Sequence, residues 1–185
     1  MKKNLFISTI LIFLIQFVAA QKIIENKVDE FTGDKIIKTN SNTLISKGSS
    51  WLQNKSTVNY GFVKINGTIQ LNIKMVLNGG KVFSINDDNK IIFLYENGNK
   101  SEYYPIESVV AGQGDAASGL WGSGLWGVDA YFYSESGFSD LLKNKISKVR
   151  IYTDEGYLED DIKSKLDREI KETLELIIKT VNSDK

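Results

Sequence analysis

The segment from Thr57 to Leu77 constrains the fold more than any other part of the chain. Two extended runs, residues 57–65 and 68–77, flank Asn66-Gly67. This pair favours the two-residue turn of a β-hairpin, because both residues tolerate positive φ. In the second run, apolar residues occupy every other position: Ile69, Leu71, Ile73, Met75 and Leu77. The period of two predicts an antiparallel hairpin with one buried face and one mostly solvated face.

The rest of the chain predicts further strands, separated by turns rich in Gly, Asn and Asp. Extended segments are expected at residues 23–29, 35–39, 82–85, 90–95, 100–106, 128–133, 146–152 and 157–162. Residues 40–54 form a polar segment for which no strand is predicted. The continuous apolar run 91–95 predicts a central strand that is covered on both faces.

Helical signals appear late in the chain. Residues 139–145 predict a short helix, and a long amphipathic helix follows near the C-terminus, where four-apart pairs of opposite charge also occur. Its apolar stripe consists of Leu166, Ile170, Leu174, Ile177 and Val181. Ser164 and Asp167 have the spacing of a capping box at its start. Strands first and a packing helix last predict an α+β domain. We expect a largely antiparallel curved sheet or a partly closed barrel, with the C-terminal amphipathic helix packed on it.

The first twenty residues have the pattern of a secretory signal peptide. Lys2 and Lys3 precede an apolar run, and small residues stand before Gln21. The run is shorter than the ~20 apolar residues of a membrane-spanning helix. We therefore expect residues 1–20 to be removed, leaving residues 21–185 as a single domain without a transmembrane segment. The expected location is periplasmic or extracellular.

The composition excludes several classes of site. The chain has no Cys and no His, so it has no thiolate or imidazole zinc ligand and no Ser–His–Asp or Cys–His nucleophile. Removing Lys2 and Lys3 with the leader lowers the formal net charge from 0 to −2. That balance gives no indication of nucleic acid as a partner, and nothing in the composition indicates a cofactor.

One glycine-rich segment holds an exact tandem repeat, SGLWG at 118–122 and again at 123–127. Large apolar side chains on a flexible frame are costly to expose unless a partner covers them. The candidate ligand-binding residues are therefore Leu120, Trp121, Leu125 and Trp126. The structural alternative is that these side chains fold back over one end of the sheet, with the glycines forming the bends.

Two further motifs are weaker. Residues 112–117 match G-x-G-x-x-A, but no strand–helix–strand pattern surrounds them, and a dinucleotide fingerprint counts only in that context. Acidic residues cluster at 154–161 without the spacing of a calcium-binding loop. Their simplest roles are in a hairpin turn and before a helix N-terminus, which favours negative charge. Neither motif predicts a cofactor or a metal site.

Three segments resemble a group of small exported Bacteroidetes proteins with no assigned activity. They are VDEFTGD at 28–34, GKVFSI at 80–85 and ISKVRIYTDEGY at 146–157. The resemblance implies an exported protein. None of these strings is a catalytic signature, so the resemblance assigns no functional residue to this chain.

These observations favour an exported, non-enzymatic binding or interaction domain with an unknown protein or glycan partner. The alternative is an enzyme, namely a hydrolase of envelope glycans that uses two carboxylates. No pattern in the sequence selects a catalytic pair. A third hypothesis is a structural envelope component, which would present a self-complementary apolar patch.

Overall fold

A computed structural model describes residues 21–49, 54–78, 81–113 and 126–180. Within these residues the chain forms thirteen strands and two helices. The strands are β1 (Ile23–Val28), β2 (Lys35–Thr39), β3 (Asn42–Lys47), β4 (Ser56–Ile65), β5 (Thr68–Val76), β6 (Ser84–Ile85), β7 (Ile91–Tyr95), β8 (Lys100–Pro105), β9 (Val109–Val110), β10 (Gly112–Gln113), β11 (Trp126–Tyr133), β12 (Ile146–Thr153) and β13 (Gly156–Asp161). The helices are α1 (Ser139–Lys143) and α2 (Ser164–Lys179).

Eleven of these strands form one antiparallel sheet. Its order is β1-β2-β4-β5-β11-β8-β7-β12-β13, with β3 beside β4 and β10 beside β11, while β6 and β9 form a separate pair. The sheet curls, so that Lys47 of β3 and Asp160 of β13 approach to 4.0 Å between Nζ and Oδ1. The predicted α+β class and the largely antiparallel curved sheet are confirmed, and the sheet is curled without closing.

The central hairpin forms as its sequence predicts. Asn66 and Gly67 both have positive φ, 47° and 93°, and β4 pairs with β5 from Thr57↔Val76 to Ile65↔Thr68. In this register Tyr60 stands opposite Ile73, and Phe62 opposite Leu71, all on the buried face. The two-residue turn thus sets the register of the hairpin and with it the composition of the core.

The core lies between the inner face of the curled sheet and the helices. Helix α2 packs against β2 and β4 and buries Ile170, Leu174 and Ile177. Just before α1, the ring of Phe138 stacks 5.0 Å from that of Tyr103 between centroids. Because one helix covers only part of a wide sheet, the aromatic rings complete the inner layer.

Two predictions about strands are wrong, one about a pairing between strands and one about which faces of a strand are covered. Part of the polar segment 40–54 forms β3, because residues 42–47 pair with the first half of β4. The apolar run of β7 is central but is covered on only one face: Ile91, Phe93 and Tyr95 are buried, whereas Leu94 is exposed. A short segment of sequence does not show by itself which strand it pairs with or which of its faces is covered.

The predicted capping box of α2 is also wrong. Lys163 is the N-cap residue, and no side chain caps the helix. Instead, Oδ1 of Asp167 accepts a hydrogen bond of 3.0 Å from the backbone N–H of Ile146. Its Oδ2 accepts one of 3.0 Å from Nζ of Lys171. Asp167 therefore ties the helix to the start of β12. The four-apart ion pairs predicted along the helix are present.

We expect Asp167→Ala to lower the free energy of unfolding by about 1–3 kcal/mol, since it leaves a buried backbone N–H without an acceptor. Asp167→Asn retains an acceptor and should cost less. Ser164→Ala is the matched control and should cost little, because the Ser164 hydroxyl makes no capping bond. Urea denaturation of the three variants measures this order. A larger loss from Ser164→Ala than from Asp167→Ala would contradict the assignment.

Candidate functional site

A break in one edge of the sheet creates a groove over Gly61. Strands β2 and β3 pair in succession with the same side of β4, and residues 40–41 connect them opposite Gly61. A Cβ at Gly61 would lie 3.3 Å from the backbone O of Asn40 and 3.4 Å from Oγ1 of Thr39. The glycine therefore permits a close approach of two chain segments. It also leaves the floor of a groove of about 300 Å³ without a side chain.

One wall of this groove, which we call the Gly61 groove, carries a fixed carboxylate. Asp129 of β11 stands opposite Lys74 of β5, and its Oδ2 lies 3.3 Å from Nζ of Lys74. Its Oδ1 accepts a hydrogen bond of 2.5 Å from Nδ2 of Asn72. Asn72 is 8% exposed. Because both partners belong to the neighbouring strand, the carboxylate is held in place before any ligand arrives.

The opposite wall carries a lysine and the rim carries apolar groups. Nζ of Lys38 lies 3.0 Å from Oε2 of Glu25. Hydrogen bonds from Lys27 and Lys38 lower the pKa of Glu25, so this carboxylate stays ionised beside the lysine. Tyr131 and the exposed Ile24 also line the groove. Burial raises the pKa of Tyr131, so its hydroxyl keeps its proton at neutral pH.

A second surface covers the outer side of β8, β7, β12 and β13, and we call it the basic–aromatic face. It comprises Lys90, Lys100, Glu102, Tyr104, Lys148, Arg150, Tyr152, Tyr157 and Glu159. Oε1 of Glu159 accepts a hydrogen bond of 2.9 Å from Nζ of Lys148, and Oε2 accepts one of 2.7 Å from Nε of Arg150. The Arg150 guanidinium lies 4.4 Å from the Tyr157 ring centroid, a cation–π arrangement. Only a shallow depression of about 140 Å³ lies at its centre.

The charges on both surfaces are arranged as ion pairs that keep carboxylates ionised. Among the described residues, every carboxyl whose pKa departs from its ordinary value departs downward: Glu25, Asp29, Glu102, Asp154 and Glu159. A catalytic carboxylic acid needs the opposite shift, usually from burial in apolar surroundings. These carboxylates therefore serve as hydrogen-bond acceptors and not as proton donors at neutral pH.

Of the four residues selected from the sequence, Trp126 falls among the described residues, and it does not line the Gly61 groove. Leu120, Trp121 and Leu125 fall outside the described residues. Trp126 begins β11, is 41% exposed and pairs with Gln113 of β10. It stands five positions before Tyr131 on the same strand. The structure therefore places one of the four candidates at the start of β11.

The groove residues were missed because their sequence signals are weak. A glycine inside a strand pattern can mark a close backbone approach, and Gly61 is such a glycine. The alternation of the hairpin predicts Asn72 and Lys74 on its mostly solvated face; Lys74 is partly exposed, whereas Asn72 is 8% exposed because neighbouring groups cover it. Their convergence with Lys38 and Asp129 depends on strands that are distant in sequence.

The acidic residues 154–161 form separate contacts. Asp154 accepts hydrogen bonds from the backbone and hydroxyl of Ser84, Glu155 pairs with Lys81, and Glu159 belongs to the basic–aromatic face. In the part of the chain that the structure describes, no group of three or more acidic side chains is arranged to hold a metal ion. Of the G-x-G-x-x-A match, Gly112 lies in β10, and residues 114–117 fall outside the described part.

Comparisons with known proteins find no relative for this chain. No protein-family model, curated protein or solved structure matches it. Among the described residues, neither helix has the length and apolar character needed to cross a bilayer.

The ion pairs of Glu102 predict a pH-dependent contribution to stability. Hydrogen bonds from Lys100, Lys90 and Tyr104 lower its pKa from 4.5 to about 2. The contribution of Glu102 to the free energy of unfolding is therefore complete above its pKa in the unfolded chain and is lost as the pH falls toward about 2. Glu102→Gln should lower the free energy of unfolding at pH 7 by about 1 kcal/mol or less.

The difference between wild type and Glu102→Gln should shrink steadily when urea denaturation is repeated at pH values from 5 to 2. Asp87→Asn is a control, because its carboxylate contacts only a serine hydroxyl among the described residues. An equal effect of Glu102→Gln at every pH would show that the lysine pairs do not act as described.

Proposed function

We propose that this chain is an exported, non-enzymatic binding domain and that the Gly61 groove is its ligand site. The observation that carries the proposal is a preformed concavity whose polar groups are already held by neighbouring strands. Binding sites combine such a concavity with a few positioned polar groups. The secretory leader pattern at residues 1–20 supports a site of action outside the cytoplasm.

The local chemistry favours binding over catalysis. Asp129 lines the groove and is held by Lys74 and Asn72 from the adjacent strand. At the opposite wall, Glu25 is paired with Lys38. A hydrolase of envelope glycans, the alternative from another class, would need a second carboxyl group at a defined separation and a raised pKa on one of the two. The pKa of Glu25 is instead lowered by hydrogen bonds from Lys27 and Lys38, which gives that alternative no support.

The tryptophan repeat is retained as a second contact hypothesis. Leu120, Trp121, Leu125 and Trp126 would add apolar area to a bound partner, since tryptophan side chains often dominate binding energy. The partial exposure of Trp126 is compatible with this role. The groove and the repeat predict different sensitive residues, so one experiment separates them.

A ligand that binds only the folded state raises the melting temperature. We expect at least one class in a panel of neutral sugars, small carboxylic acids, inorganic phosphate and ammonium salts to raise that of the purified protein. Gly61→Val should abolish this rise by placing a branched side chain on the groove floor. Trp126→Ala should leave it intact.

The melting temperatures of the ligand-free variants serve as folding controls. Loss of the response in Trp126→Ala together with its retention in Gly61→Val would move the site to the tryptophan repeat and contradict the groove. A response unchanged in both variants would contradict both assignments. Concentration-dependent self-association without any ligand response would favour the structural envelope component.

A further inference from the structure

We propose that the Gly61 groove binds a neutral carbohydrate of one or two sugar rings. This inference rests on the proposed function and specifies the ligand of the same site. It follows from three properties of the groove: its charges are compensated, its polar groups include both donors and acceptors, and its volume is small.

The compensated charges disfavour an ionic ligand. The two lysines of the groove are each paired with a carboxylate, Lys38 with Glu25 and Lys74 with Asp129. An anion would have to compete with these carboxylates for the lysines, and a cation would have to compete with the lysines for the carboxylates. A neutral ligand adds hydrogen bonds without separating either pair, so its desolvation cost is lower.

The polar groups match the dual character of sugar hydroxyls, which both donate and accept hydrogen bonds. A carboxylate offers about four acceptor sites, and Asp129 uses two of them for Asn72 and Lys74. Lys38 brings an ammonium group to the opposite wall. The phenol of Tyr131 can donate or accept. A ring with several adjacent hydroxyls can use these groups from both walls at once.

The shape limits the size of the ligand. The volume of about 300 Å³ lies at the lower end of the range for small-molecule sites, roughly 300–1,000 Å³. One or two rings fit such a space. The half-buried ring of Tyr131 and the exposed side chain of Ile24 provide apolar surface against which the C–H face of a sugar can pack.

The test is an NMR titration of the ¹⁵N-labelled purified protein with glucose, galactose and N-acetylglucosamine, each added separately. Sodium phosphate, sodium acetate and ammonium chloride are the ionic probes. We expect at least one sugar, and no ionic probe, to give saturable shifts of the backbone amides at Lys38, Gly61, Asn72, Asp129 and Tyr131.

The variants make the assignment specific. Asp129→Asn should weaken sugar binding roughly tenfold or more, since it replaces a charged acceptor. Glu102→Gln is the matched control, a lysine-paired carboxylate on the basic–aromatic face, and should leave the dissociation constant unchanged. If Asp129→Asn fails to fold, Lys38→Ala replaces it and should weaken binding by about threefold to tenfold.

Each outcome decides between the two proposals. Groove shifts with phosphate, acetate or ammonium but with no sugar would overturn the carbohydrate assignment and leave the groove as a binding site. No groove shift with any probe would overturn both. Sugar shifts centred on Trp126, or equal weakening by Asp129→Asn and Glu102→Gln, would overturn the carbohydrate assignment for this groove.

Discussion

Strand β4 is the element on which the rest of the structure depends. It pairs along its length with β5 on one side and with β2 and β3 on the other. The Asn66-Gly67 turn sets the register of the β5 pairing, and a shift of one residue would turn every side chain of the strand to the opposite face. The positions of Tyr60 and Phe62 in the core and of Gly61 in the groove follow from this one register.

The two sides of the same sheet perform different physical tasks. The inner side is mainly apolar, and α2 and the ring of Phe138 pack against it. The outer side carries ion pairs that keep its carboxylates charged. Their arrangement differs along the sheet. A groove of about 300 Å³ lies beside the break between β2 and β3, whereas the face over β8, β7, β12 and β13 has a smaller depression of about 140 Å³. The groove exists because the pairing along one side of β4 is interrupted between β2 and β3, at the position where β4 has Gly61 and therefore no side chain.

Local sequence patterns account for much of the fold. The period of two, the turn residues and the stripe of Ile170, Leu174 and Ile177 predict the strands, the central hairpin and the last helix. Pairing between distant segments explains the failures. Strand β3 has the sequence of a polar connection, and it is a strand because it pairs with β4. Asp167 has the spacing of a capping residue, but its carboxylate accepts a hydrogen bond from the backbone N–H of Ile146.

The candidate site was less accessible to sequence reasoning than the fold. In the sequence, Gly61 is simply a glycine within a strand. The structure shows that it permits the close approach of the Asn40 backbone. Lys38 and Asp129 are 91 positions apart, and no local pattern joins them. The tryptophan repeat, in contrast, is conspicuous in the sequence because its two SGLWG copies are identical and adjacent. The sequence thus directs attention to large apolar side chains, whereas the groove depends on the absence of a side chain at Gly61.

The most direct test of the account is a crystal structure of the protein soaked with glucose, galactose or N-acetylglucosamine. The account predicts a sugar ring in the Gly61 groove, with its hydroxyls within hydrogen-bond distance of the Asp129 carboxylate and the Lys38 ammonium group. It also predicts that the Lys74–Asp129 and Lys38–Glu25 pairs stay intact. A sugar bound elsewhere on the molecule while the groove contains only solvent would contradict the account.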